Sequence, residues 1–441
     1  MKSLPYSTSK TNRSNSFIEW LVAIAVAYAT TFTILESFFD EFFPLLRSVS
    51  GIMRGVIVLL MLFSQIRHYG LHIREKSFFI FFLTYNLFLV IYLLVFPKYK
   101  LEDLHGVPGA MSGSTFAFFY RSVQVVGYIL SAELIIRHLS VKKYILVSFF
   151  SAVIPSISFI QYLGVDTIQY LNDFEDEAFS ILALGYCNST ILVLEVLFFK
   201  KFIREGLVSS AFMCVVIISV LYILFVGGER GPLIWAMMNL LICLFLLSKN
   251  TVRYCIYVAV LGILLYVNID VILEIIKPYA PRAAEKIELT VIEGDTSGRF
   301  DMDNQEGSTY IIGLKQFASS PIYGSYFRMV TNHRTFRGHY PHNVFIEMLI
   351  TMGLLGTIPF ILLLFKAYKK VYKVIKRGDM QDSQLCCLAI FLGVFLQLQT
   401  TWSIVANAAF WTFFYIMCIF DTKIAERKTN KVFRNKNNYN R

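Results

Sequence analysis

The sequence predicts an all-α, polytopic membrane protein of about twelve transmembrane helices with one large outer loop, and three observations predict it. Apolar residues make up 56% of the 441 and charged residues only 16%, where ordinary soluble domains carry about 25% charge, and mean hydropathy is +0.58. The apolar residues fall into runs of about 20, the length that crosses roughly 30 Å of hydrocarbon. Those runs lack the alternation of barrel strands, and unpaired backbone is intolerable in lipid, so each run is a helix.

In chain order the predicted spans are 17–39, 43–64, 77–96, 116–139, 144–163, 179–199, 207–226, 232–248, 254–273, 343–365, 385–404 and 406–420. The first contains AVAYA, which loosely resembles a signal-peptidase site, but the run continues apolar beyond it and reads as an uncleaved helix. The organisation is therefore nine spans in 1–273, a large loop at 274–342, three more spans in 343–420, and a basic tail at 421–441, with no internal repeat and no soluble domain.

Lysine and arginine placement gives the orientation. Arg67, Arg74, Lys76, Arg137, Lys142, Lys143, Lys200, Lys201, Arg204, Lys249, Arg253 and the cluster Lys366–Arg377 all fall with the two termini on one side. Only Arg47, Lys98, Lys100 and Arg230 occupy the short loops opposite. By the positive-inside rule both termini are expected in the cytoplasm. The net charge of +11 is largely this topogenic excess, so it does not point to nucleic acid. The tail KTNKVFRNKNNYNR is expected on anionic membrane lipid. The seven cysteines all fall in or beside spans without a CxxC, which reads as apolar packing, with no disulfide or zinc framework.

Residues 274–342 break the pattern of short loops, and loops this long are usually functional. The loop carries Lys277, Arg282, Lys286, Arg299, Lys315, Arg328, Arg334 and Arg337. Within it IIGLKQFASSP predicts one short amphipathic helix that stops before Pro321.

Charge at unexpected places marks the candidate site. In GGERGP, Arg230 sits between glycines and Pro232 at the outer boundary. It is either a snorkelling anchor paired with Glu229 or a planar guanidinium held to grip phosphate oxygens. Arg54 and Arg121 lie inside spans, where a charge costs about 2.5 to 3.5 kcal/mol on insertion scales and faces a polar cavity or a partner. Glu36, Glu133, Glu195 and Glu347 are the in-span acids that could pair with them. Together Arg54, Arg121, Arg230 and Arg299 would make a cationic chamber suited to a lipid-borne anion.

At the end of the loop, RGHYPHNVFIEMLITMGLLG turns from polar to apolar. Pro341 stops any earlier helix, Asn343 can cap the next one, and Gly353 and Gly356 form a small-residue face for close helix packing. His339 and His342 sit at this seam beside Arg337. Zinc is disfavoured for His333, His339 and His342 by their spacing and by Arg334 and Arg337. A histidine here is either simply hydrogen-bonded at a helix start or a neutral imidazole at the lip of a cationic pocket that can accept a proton.

The segment H-N-x9-G-x-x-G from His342 to Gly356 resembles the signature of the bacterial O-antigen ligase and O-antigen polymerase (Wzy-type) superfamily. TSGRF (296–300), SPIYGSYF (320–327) and FVGGERGPLIW (225–235) are similar to further segments of that family in the same order. Two departures stand out: Glu229 replaces the usual small hydroxyl residue, and the gap from Arg299 to Pro321 is longer and lacks a tryptophan.

The resemblance implies a glycosyltransferase of the inner membrane, needing neither metal nor cofactor, that acts at the periplasmic face on glycans carried by undecaprenyl diphosphate. Arg230 and Arg299 would hold the diphosphate, with Arg121 and Arg54 adding positive charge. His342 would deprotonate the attacking hydroxyl, supported by His339, Asn343 and Arg337. Preplaced guanidiniums stabilise the charge that builds on a departing diphosphate. The expected activity is polymerisation of repeat units, with a chain-length regulator protein as a possible partner. Ligation to lipid A core is the near alternative, and transport of lipid-linked glycans the distant one, although no paired interrupted half-helices show in the sequence.

Overall fold

The computed structural model describes residues 13–95, 115–163, 181–226, 230–248, 251–278, 281–288, 309–325, 341, 343–378, 380–400, 403–405 and 407–420. Among these the chain is almost entirely helical, with no strand. The helices are α1 (Arg13–Thr30), α2 (Phe32–Phe42), α3 (Pro44–Tyr69), α4 (Lys76–Val95), α5 (Thr115–Leu130), α6 (Ala132–His138), α7 (Val141–Ser148), α8 (Ile154–Leu163), α9 (Ile181–Arg204) and α10 (Leu207–Val226). After them come α11 (Arg230–Leu247), α12 (Thr251–Val267), α13 (Ile269–Ile276), α14 (Pro281–Ile287), α15 (Thr309–Ser319), α16 (Val344–Arg377), α17 (Asp382–Gln397) and α18 (Ala408–Ile419).

Each predicted span overlaps helix. Among the described residues, four stretches are by themselves long and apolar enough to cross a membrane: Val49–Tyr69, Val141–Tyr162, Leu207–Val226 and Val344–Arg377. Ser16–Thr30 and Phe32–Phe39 make a fifth if they are joined across their 70° bend. The remaining apolar helices are shorter, partly because spans break. The first breaks at Thr31, the fourth at Ser131 and the ninth at Asn268, while α7 runs into α8 through a π-helical turn, Phe149–Val153. Pro44 opens α3 at a position where its missing N–H costs nothing. The helix expected from IIGLKQFASSP is α15, and it ends before Pro321.

Aromatic rings fill the centre. Trp411, Phe410 and Phe414 of α18 pack against Phe78 of α4 and Phe360 of α16, all fully buried. All seven cysteines are free, and five of them are buried among these helices.

One end of the bundle is tied by charge. Glu133 accepts from both Arg74 (2.7 Å) and Arg137 (2.8 Å), Lys143 bonds Glu19, Lys142 bonds Glu205, Lys201 bonds Asp382 and Lys366 bonds Glu75. Ser383 donates to the Ile136 carbonyl, and the Arg74 amide donates to the Tyr415 hydroxyl. These contacts gather the start of α1, the ends of α3, α6, α9 and α18, and the starts of α7, α10 and α17 on one side. Lysine and arginine placement assigns those same connections to a common side.

Candidate functional site

The opposite end is built around a turn between α17 and α18. Asp382 and Gln397 bound a 16-residue helix, so this turn lies about 22 Å from the charged end at 1.5 Å per residue.

Two helix starts dock onto consecutive residues of that turn. At the start of α16, Asn343 is extended (φ −153°) and its Oδ1 accepts from the amides of Phe345 (3.0 Å) and Ile346 (3.2 Å), the capping role its residue type predicts. Its Nδ2 then donates to Gln399 Oε1 at 3.3 Å, and the Val344 amide donates to the Leu398 carbonyl at 3.0 Å. From α11, the Trp235 indole donates to Thr400 Oγ1 at 2.8 Å, and the Tyr186 hydroxyl of α9 shares that oxygen at 3.2 Å. The start of α11 sits tightly on α9: a Cβ on Gly231 would lie 2.6 Å from the Tyr186 hydroxyl, and one on Gly185 would lie 2.4 Å from the Pro232 ring.

The turn itself is fixed by neutral bonds and one carboxylate. Tyr310 of α15 donates to the Gln399 carbonyl at 2.7 Å, and Trp411 donates to the Ile404 carbonyl at 2.8 Å. Glu347, buried on the first turns of α16, accepts from the Ser403 hydroxyl and from the Ile404 amide (3.3 Å). Asn407 caps α18 by accepting from the Phe410 amide.

The segment SPIYG enters the same helix. Gly353 breaks α16 with φ 61° and ψ −157°, and Gly324 faces it with φ 75°. The freed backbone groups cross-bond: Ser325 N–H to the Ile350 carbonyl (2.6 Å), Leu354 N–H to the Pro321 carbonyl (2.9 Å) and Leu355 N–H to the Ile322 carbonyl (3.1 Å). A Cβ on Gly353 would meet the Gly324 amide and the Ile322 carbonyl at 2.5 Å. The close contact expected of Gly353 is thus with a turn's backbone, while Gly356 approaches Met352 of its own helix.

Arg299, Arg337, His339 and His342 lie outside the described residues. Arg230 is the first residue of α11, its side chain likewise outside them. Arg54 is mostly buried and donates to Glu36 at 2.5 Å, on a carboxylate that also accepts from Ser50; its guanidinium carbon lies 5.9 Å from the Tyr28 ring centroid. Arg121 is half-buried on α5. Its neighbour Tyr120 donates to the Gly51 carbonyl one turn from Arg54, which places both arginines on the packed pair α3–α5.

Of the four in-span acids, Glu36 takes Arg54, Glu133 takes Arg74 and Arg137, and Glu347 holds the turn. Glu195 is fully buried with neither carboxylate oxygen hydrogen-bonded among the described residues. Sequence reasoning does not find the anchors Tyr186, Trp235, Gln399 and Thr400. The polar run QLQTT, interrupting an apolar stretch at 397–401, is the signal that marks the last two.

No protein-family model, no curated protein and no solved structure matches this chain.

Proposed function

We propose that this chain is a surface-polysaccharide polymerase, a metal-independent glycosyltransferase that joins undecaprenyl-diphosphate-linked repeat units at the periplasmic face of a bacterial inner membrane. Twelve spans, cytoplasmic termini and the outer loop 274–342 belong to this reading. One observation carries it: the helix that begins at Arg230 and the helix that follows His342 are anchored on adjacent residues, Thr400 and Gln399, of one turn. A guanidinium for the leaving diphosphate and an imidazole for the attacking hydroxyl then start from the same rim. His342 is the base, Arg230 and Arg299 hold the diphosphate, Arg121 and Arg54 add charge, and His339, Asn343 and Arg337 support them. The Asn343 cap fixes the first turn of the helix that follows His342.

The test gives purified protein only lipid-diphosphate repeat units. Lengthening without lipid A core, abolished by His342→Ala in a protein that remains folded, supports polymerisation. Product only after core is added means ligation. Full activity of His342→Ala ends the catalytic reading.

A second reading, transport of lipid-linked glycans, is favoured by the breaks at Thr31 and Gly353, one in each half of the chain and two of the several helix breaks described. Transporters build midplane sites from such discontinuous helices. Movement of intact lipid across sealed vesicles, with no release of undecaprenyl diphosphate, would select it.

A further inference from the structure

A polar pocket lies beside the turn, between the α1–α2 bend, α9, the end of α17 and the start of α18. Polar side chains including Thr30, Thr31, Tyr186, Thr190, Gln397 and Asn407 line it, and no acidic or basic residue contributes among the described residues. Irregular backbone is tolerated at membrane depth where it lines a cavity, and two irregular stretches meet here, the Thr31 break and the described residues of the α17–α18 turn. Its wall is set. Thr30 bonds the Val26 carbonyl and the Tyr144 hydroxyl, and Thr31 bonds Ser151. Gln397 is 5% exposed, and its Nε2 has no hydrogen-bond partner among the described residues. An amide N–H buried without an acceptor is costly, and the groups that relieve it are oxygens.

Resting on the glycosyltransferase reading, we propose that this pocket binds a hydroxyl or acetamido edge of the neutral sugar next to the diphosphate, with Gln397 donating to a sugar oxygen. The described lining carries no charge and does not suit a diphosphate, which needs cationic donors. The cavity measures about 40 Å³. A water needs roughly 10–15 Å³ by the same measure, so the space takes two or three polar atoms of a sugar and excludes the rest of the ring. Gln397 is two residues from Gln399 and three from Thr400, so the sugar edge would lie under the rim where Arg230 and His342 begin.

The experiment measures affinity of the full chain in lipid nanodiscs for bare undecaprenyl diphosphate and for the same lipid bearing N-acetylglucosamine, N-acetylgalactosamine, glucose or galactose. At least one sugar is expected to tighten binding on the order of tenfold, the effect of one buried hydrogen bond to an otherwise unsatisfied donor. Gln397→Leu should erase that preference and leave affinity for the bare lipid unchanged. Thr190→Val, which keeps the side-chain shape, should reduce the preference and decides the matter if Gln397→Leu does not fold. Equal binding of bare and sugar-bearing lipids by the wild type, or a preference that survives the substitutions, overturns the proposal alone and leaves solvent in the pocket. Failure of the bare lipid to bind overturns the glycosyltransferase reading and this inference with it.

Discussion

The two ends of the bundle use polarity in opposite ways. At the charged end, basic residues are matched to acids, as in Arg74 and Arg137 on Glu133 and Lys366 on Glu75. At the turn end the bonds described are made by amides, hydroxyls, indoles and backbone, and its buried acid, Glu347, is occupied by Ser403 and Ile404. Charge is absorbed into structure on one side. On the other, neutral groups hold the scaffold, and the carboxylate of Glu347 is held by Ser403 and Ile404. That difference separates a stability rim from a candidate chemical rim.

The sharpest way to break the contrast is at two glycines with the same sign of φ. Gly353 (φ 61°) is pressed against the backbone of Gly324 and Ile322, whereas Gly378 (φ 72°), which ends α16 at the charged end, has open space where a Cβ would sit, with nothing within 4 Å. Gly353→Ala should lose about 3 kcal/mol or more, combining backbone strain with overpacking. Gly378→Ala should lose about 1 kcal/mol, the conformational term alone. Reversible unfolding in detergent measures both; equal losses would mean that the SPIYG turn does not dock into α16.

The next effect tests whether Arg54 serves structure or substrate. Removing one partner of a buried pair leaves an uncompensated charge and costs about 3 kcal/mol, so Arg54→Gln alone should destabilise the protein clearly. The double variant Glu36→Gln, Arg54→Gln should recover much of that stability. If the double variant is stable and still lengthens glycans, Arg54 is a strut; if it is stable and inactive, its charge acts on the diphosphate. The exposed pair Lys142–Glu205 is the control, with Lys142→Ala expected within about 0.5 kcal/mol of wild type.

How much of this is legible in the sequence follows from the physics of each signal. The apolar helices are readable because a hydrocarbon slab imposes length and hydropathy on a local window, and the Asn343 cap is readable because capping is a local bond between a side chain and the next turn. The Thr31 bend carries no proline or glycine: it stands on contacts with Ser148 and Ser151 more than a hundred residues away, so no local pattern announces it. Gly353 reads as a helix-packing glycine because small residues at that spacing serve either use; only the arrival of Gly324 decides between them. The meeting of Gln399 and Thr400 with α16 and α11 is equally non-local. Residue type and position mark Arg230 and His342 as chemically unusual, but nothing local shows that their helices share an anchor.

The smallest effect probes the charged end by pH. Burial opposes ionisation of Glu75, but hydrogen bonds from Lys366 and Ser77 and the charge of Lys370 outweigh it and hold the carboxyl below its usual value of 4.5. With the folded pKa depressed, the stabilisation is fully present above pH 4.5 and is lost as pH falls below that value through the folded pKa. Lys366 is 41% exposed, so the contribution stays within about 1 kcal/mol. Glu75→Gln should therefore match wild type in stability at the acid end of that window and fall slightly below it at neutral pH. The turn end, whose described bonds at Gln399 and Thr400 join neutral groups, predicts no such crossover for Thr400→Val between about pH 5 and 8. A Thr400→Val loss that grew or vanished across that range would mean that a titrating group, the Glu347 carboxyl of the same turn first among them, is coupled to Thr400, and the division between a charged and a neutral end would have to be redrawn around it.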